Sequence, residues 1–189
     1  MMEFIDKMQK FVKNSFGISL ILLSLSWLFI LPFIPLNSDK LLSENFFTQN
    51  KGQYMLLFFG FPGCHTICPP TLKKMGELYQ VYQQNTTDNL LDITFINLLL
   101  TIDKQTATNY AKQFEQHFVT YQPTTTELAA LTQQLGVYSY QTQAQTLEHS
   151  GYIYLLENVK NQWIIRYVYP NNQRLNARFF DDLAQLDAS

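Results

Sequence analysis

L-L-F-F-G-F-P-G-C-H-T-I-C-P-P-T-L-K, running from Leu56 to Lys73, decides how the rest of the chain is read. An apolar, aromatic run of this kind predicts a buried strand that ends at Gly60 and is followed by a short turn. Both cysteines of the protein then appear as Cys64-x-x-x-Cys68. Pro69 and Pro70 come next, and proline is favoured at the first positions of a helix because it has no amide hydrogen to leave unsatisfied there. Cys68 is therefore expected at the mouth of a helix. A spacing of four puts both side chains on one face, near enough to bridge or to share a metal. The positive end of the helix dipole and its free amide hydrogens favour thiolate over thiol.

Working back from this stretch, Lys51-Gly52-Gln53 reads as a turn into a strand over Tyr54–Phe59. Residues 16–36 carry no charge, and some 20 apolar residues are what a helix needs to cross a bilayer core of about 30 Å. The stretch ends on bulky Phe33-Ile34-Pro35-Leu36 rather than on small residues, which predicts an uncleaved anchor rather than a signal peptide. Lys7, Lys10 and Lys13 precede it, while only Asp39 and Lys40 follow closely. The positive-inside rule then places the N-terminus in the cytoplasm and the remainder in a periplasm-like space, as a single-pass protein of the inner membrane. The expected organisation is a cytoplasmic head over 1–14, a transmembrane anchor over 15–36, a tether over 37–45 and a globular domain over 46–189.

Forward of the cysteines, the spacing of Leu72, Met75, Leu78 and Tyr79 predicts a helix over 69–84 with those residues facing the core. Ile93–Leu100 reads as a second buried strand. A helix over 105–118 follows, with Ala107, Tyr110, Ala111 and Phe114 on one face, and another over 126–135 that stops at Gly136. A Gln/Thr-rich loop over 141–148 leads to His149-Ser150-Gly151, then come strands over 152–156 and 163–169 and a closing helix over 177–186. The order β-α-β-α-α-β-β-α, with a cysteine pair after the first main strand, describes an α/β protein with a thioredoxin-like fold, a mixed central sheet flanked by helices.

Composition narrows the function. A formal net charge of -2 offers no basic surface for nucleic acid, and 47% hydrophobic residues are not those of a disordered chain. Two cysteines make no disulfide scaffold, so in this strand-turn-helix setting they read as one working pair, a redox couple or a metal site. Two soft thiolates with one imidazole suit copper, whereas structural zinc asks for a fourth ligand. His149 is the natural third ligand, because the loop before its strand faces the helix mouth in such a sheet; read alone, it is equally an exposed loop histidine. His65 competes by adjacency, though neighbours in sequence point apart. His117 reads as structural at a helix end.

G-F-P-G-C-H-T-I-C-P-P-T-L at 60–72, T-I-D-K at 101–104, E-L-A-A-L-T-Q-Q-L-G-V-Y at 127–138 and E-H-S-G-Y-I-Y-L-L at 148–156 together resemble the SCO/SenC family. The resemblance covers roughly Phe46 to Leu186. It implies an anchored, thioredoxin-fold metallochaperone that binds a copper ion and helps assemble the binuclear copper centre of cytochrome c oxidase, with subunit II as partner. It also implies that Cys64, Cys68 and His149 are the copper ligands. Where the family usually has Pro and an acidic residue after the first cysteine, this chain has His65 and Thr66; Glu148 stands for an Asp, and Lys104 for a Pro. An enzyme remains the competing expectation: a membrane-tethered thiol-disulfide oxidoreductase with Cys64 and Cys68 as its catalytic redox pair, keeping copper-site cysteines reduced.

Overall fold

The computed structural model describes residue 25 and residues 36–42, 46–86, 90–141, 147–170 and 172–188. The chain divides into a unit ending at Pro35 and a unit from Leu36 onward, and the sheet and the helices that cover it belong to the second. The expected head and nearly all of the expected anchor lie outside the described residues. Among those described, no helix is long and apolar enough to cross a membrane.

Among the described residues from Leu36 onward, the elements succeed one another as β1 (Leu36–Leu41), β2 (Tyr54–Gly60), α1 (Cys68–Asn85), β3 (Leu91–Asn97), α2 (Lys104–Lys112), β4 (Val119–Tyr121), α3 (Thr125–Leu135), β5 (Ser139–Gln141), β6 (Leu147–His149), β7 (Ile153–Val159), β8 (Gln162–Tyr169) and α4 (Asn172–Asp187). Six strands form one mixed sheet in the order β1-β8-β7-β2-β3-β4, and β5 with β6 forms a separate two-stranded ribbon. Parallel pairing of β2 with β3 and of β3 with β4 uses α1 and α2 as crossovers. β7 and β8 extend the sheet antiparallel.

Every residue of β2 is buried, which is why its sequence is a continuous apolar run rather than an alternation. Tyr54, Leu56 and Phe58 face one core with α1, α2 and α4; Met55, Leu57 and Phe59 face the other, with Leu131 and Leu135 of α3 and Phe46, Phe47 and Trp163. Helices thus cover the sheet on both sides. Leu72, Met75, Leu78 and Tyr79 are buried on α1, as their spacing predicts. Gly136 closes α3 in the left-handed conformation at φ 66°, and Lys160 and Asn161, at φ 53° and 67°, make the two-residue turn between β7 and β8.

Four expectations are corrected. Residues 36–41, the last residue of the expected anchor and the first five of the expected tether, form edge strand β1 against β8. Polar Asn-Ser-Asp-Lys carries no strand pattern; the ladder to β8 supplies it, and charged residues suit a sheet edge. The helix expected to reach Phe118 ends at Lys112, where Gln113 and Phe114 donate to carbonyls three residues back and tighten the last turn. The strand expected to reach Leu100 ends at Asn97, whose buried amide donates to the Leu99 and Ile102 carbonyls and to Gln122 Oε1, and so organises the loop after it. His149 is the last residue of β6 rather than part of a loop, pairing with Ser139 across the ribbon.

Candidate metal centre

The site is built where β2 gives way to α1. Gly60 ends β2, and a Cβ placed on it would lie 2.7 Å from Cys68 Sγ and 2.8 Å from Phe95 Cε2. Only a glycine lets the sulfur rest against the strand. The chain then turns through Gly63, at φ 99°, with Cys64 N–H donating to the Phe61 carbonyl at 3.2 Å. Helix α1 starts at Cys68 with an economical use of donors. Its first amide hydrogen goes to Cys64 Sγ at 3.4 Å, the next two residues are prolines, and Thr71 N–H already reaches the Ile67 carbonyl at 3.3 Å. The Cys64 sulfur therefore acts as the cap that Ile67, with no side-chain acceptor, does not provide.

His149 arrives from the ribbon. Its Nε2 lies 3.7 Å from Cys68 Sγ and 4.0 Å from Cys64 Sγ, and the three donor atoms fall within 4.8 Å of one another. All three residues are buried, Cys68 completely. The other ring nitrogen, Nδ1, lies 3.0 Å from the Ser150 carbonyl. A carbonyl only accepts, so Nδ1 carries the proton and Nε2 presents its lone pair to the sulfurs. Phe58 and Phe61 meet the imidazole edge-on, with centroids 6.0 and 5.8 Å away.

The sulfurs are inequivalent. A hydrogen bond from Cys68, opposed by burial and helped by the amides of Cys68 and Ile67, holds Cys64 far below the ordinary thiol range. The same shared proton, together with burial, pushes Cys68 up. Cys64 is the thiolate and Cys68 the thiol that donates to it.

Metal geometry tests the fit. With bonds of about 2.3 Å to sulfur and about 2.0–2.1 Å to nitrogen, ligands at about 120° set sulfur and nitrogen about 3.8 Å apart, against about 3.6 Å at a tetrahedral angle. The observed 3.7 and 4.0 Å are of the size that one shared ion spans in either arrangement. Two thiolates and a neutral imidazole are a soft set suited to copper or zinc. Among the described residues no fourth His, Cys, Asp or Glu joins them.

His65 and Thr66 are exposed and contribute nothing to the cluster. His117 lies beyond the end of α2, where its Nδ1 is 2.7 Å from Glu115 Oε1 and its ring lies over Tyr79 at 5.2 Å. Asp103 caps α2 through Thr106, accepting from its backbone at 2.9 Å and its hydroxyl at 2.7 Å. Two participants escape a reading of the sequence. Gly60 is one, whose signal is a glycine at the end of an otherwise bulky strand. Tyr110 is the other; its hydroxyl donates to the Cys64 carbonyl at 3.2 Å, and its helical spacing marks it only as a core residue.

Residues 42–184 match the family model described as SCO1/SenC. A SCO2-like protein of Rickettsia prowazekii is 25% identical over 144 residues, which are 70% of this chain and 62% of that protein's length. Copper-bound ScoI of Arabidopsis thaliana superposes with a TM-score of 0.61 at 22% identity, over 71% of this chain and 85% of that one. Apo Sco1 of Thermus thermophilus gives 0.59 at 22% identity, over 81% and 92%. Both structures share the fold of this chain.

Proposed function

Since the chain belongs to the SCO1/SenC family, we propose that it is a copper-binding metallochaperone, anchored in the inner membrane by a helix within 15–36, that assists assembly of the binuclear copper centre of cytochrome c oxidase. Copper is its cargo, and Cys64, Cys68 and His149 are the groups that hold it. The observation that carries this reading is the buried convergence of two sulfurs and one imidazole nitrogen at separations that a single ion spans. Further support comes from the copper bound by Arabidopsis ScoI, a protein of the same fold.

Each side chain has a task. Cys64, already a thiolate at the helix mouth, offers the first attachment point. Cys68 gives up its proton as the ion enters, so binding strengthens as pH rises. His149, locked in one tautomer by the Ser150 carbonyl, supplies a neutral donor without rearrangement. Three protein ligands leave the ion open to a fourth, and oxidase subunit II, the proposed recipient, would take it by thiolate exchange from that side. The lysines ahead of the span, by the positive-inside rule, support a periplasmic position for the domain from about Asn37 onward.

One observation favours a second reading. The two sulfurs are adjacent, Cys64 Sγ accepting the Cys68 amide hydrogen at 3.4 Å, with Cys64 held low and Cys68 pushed up in pKa by the bond between them, an asymmetry that a thiol-disulfide oxidoreductase needs. A test on the reduced full-length chain in detergent separates the two. His149→Ala should weaken copper binding by well over the ~10–100-fold that loss of an outer partner costs, while exchange with a model disulfide survives. Cys64→Ser or Cys68→Ser should abolish both, and His65→Ala should change little. If oxidase assembly in cells tolerates His149→Ala but neither cysteine change, the chaperone reading gives way to the reductase.

A further inference from the structure

The three donors are not held alike. Cys68 begins α1 with its sulfur backed by Gly60, and His149 ends β6 with Nδ1 fixed on a carbonyl. Cys64 has neither support. It sits in the loop between β2 and α1, between Gly63 in the left-handed region and the exposed His65 and Thr66. What meets its peptide from outside that loop is the Tyr110 hydroxyl, 46 residues further on, donating to the Cys64 carbonyl at 3.2 Å.

The Tyr110 ring is itself wedged. Phe114 stands edge-on to it at 5.5 Å, and Phe95 of β3 lies tilted against it at 5.9 Å. Ala107 and Ala111, both fully buried, bring α2 close against the core, and the Asp103 cap fixes where that helix begins. The hydroxyl is thus presented from a helix to a loop whose backbone, among the described residues, is otherwise hydrogen-bonded through its own short turn and the cap to α1. Resting on the proposed role of this cluster as a metal centre, we propose that Tyr110 is a positioning residue: its hydroxyl fixes the Cys64 peptide and, through it, the distance of the Cys64 sulfur from the Cys68–His149 pair. The placement of α2 thereby sets the spacing of the site, although no atom of α2 is a ligand.

Tyr110→Phe removes the hydroxyl and keeps the ring. A matched control exists in Tyr154→Phe, because the Tyr154 hydroxyl also donates to a backbone carbonyl, that of Leu135 at 3.0 Å, on the other side of the sheet. Both variants, made in the full-length chain, lose one bond of the same kind, and each should melt at a lower temperature than the wild type. Three quantities are to be read: copper(I) affinity by competition with a chromophoric chelator, the thiolate-to-copper(II) charge-transfer band, and, without metal, the ratio of Cys64 to Cys68 alkylation mapped by mass spectrometry. The expected result is an affinity about 10-fold lower for Tyr110→Phe, the low end for an outer partner, with a shifted band and a several-fold change in the alkylation ratio. Tyr154→Phe should lower the melting temperature and leave all three readings in place. An unchanged affinity and alkylation ratio in Tyr110→Phe, or equal changes in Tyr154→Phe, overturns the proposal. If the wild-type chain takes up no copper, it is the chaperone reading that fails, and the alkylation ratio still decides the role of Tyr110.

Discussion

Replacing Gly60 by alanine puts a methyl carbon 2.7 Å from Cys68 Sγ, 2.8 Å from Phe95 Cε2 and 3.2 Å from Phe58 Cε1, where ordinary contact begins at 3.4 Å. The sulfur must retreat by about 0.7 Å or the strand must shift, and overpacking of this kind costs about 1–3 kcal/mol. For a domain of this size that is a fall in melting temperature of about 2–12 °C. The effect on metal should be larger in proportion, since ligand distances hold to about 0.2 Å and the sulfur that moves is a donor. Copper affinity is expected to drop at least ~10-fold, measured by chelator competition on the reduced protein. Gly76→Ala supplies the contrast: its Cβ would press on Glu115 Cβ at 2.9 Å, away from the sulfurs, so it should change stability and spare affinity. If Gly60→Ala binds copper as the wild type does, or if Gly76→Ala loses affinity to the same degree, the argument that Gly60 exists to seat the Cys68 sulfur is refuted.

Glu115 gives a pH dependence. It is buried, and although burial alone would raise its pKa, hydrogen bonds from His117 and from Gln80 Nε2, the latter at 2.6 Å, hold it below the ordinary glutamate range. A carboxylate with a depressed pKa contributes stability above its unfolded value, about 4.3, and loses it as pH falls through the folded one. Glu115→Gln should therefore be less stable at pH 7 by about 1–3 kcal/mol, with the gap closing below about pH 4 in thermal melts; a gap independent of pH would contradict this. For the proposed topology, protease added to intact spheroplasts should digest the domain after Leu36, and its protection would reverse the orientation.

Much of the sheet is legible in the sequence because some of its strands are buried on both faces. Tyr54–Gly60 and Leu91–Asn97 are largely apolar runs, and such runs have few alternatives to the centre of a sheet. Helix ends are legible where one residue type is required, as at Gly136 and at the prolines of α1. Strand β8 shows the limit. Its alternation suggests one buried face, yet Trp163 and Ile165 join one core while Tyr167 and Tyr169 join the other. The pairing register slips by one residue at Arg166, which bonds Glu157 and Asp39 on the neighbouring strands, both at 2.7 Å. Alternation cannot reveal a bulge whose cause lies on two other strands.

The cysteines, their spacing, the helix that opens at Cys68 and the preference for a soft metal come from residues adjacent in the chain, because turn and capping chemistry is local. The third donor, His149, can be named from its place before a strand and from the resemblance, but its approach to the sulfurs is not local. His149 lies 81 residues from Cys68 and reaches the sulfurs because β5 and β6 pair into a ribbon that ends at the mouth of α1. Likewise, β1 exists only against β8, Gly60 matters only because Phe95 and Cys68 crowd it, and Tyr110 meets Cys64 only because α2 returns beneath the loop. Each depends on contacts between segments far apart in sequence, whose residues carry no mark of their partners, so tertiary structure alone decides them.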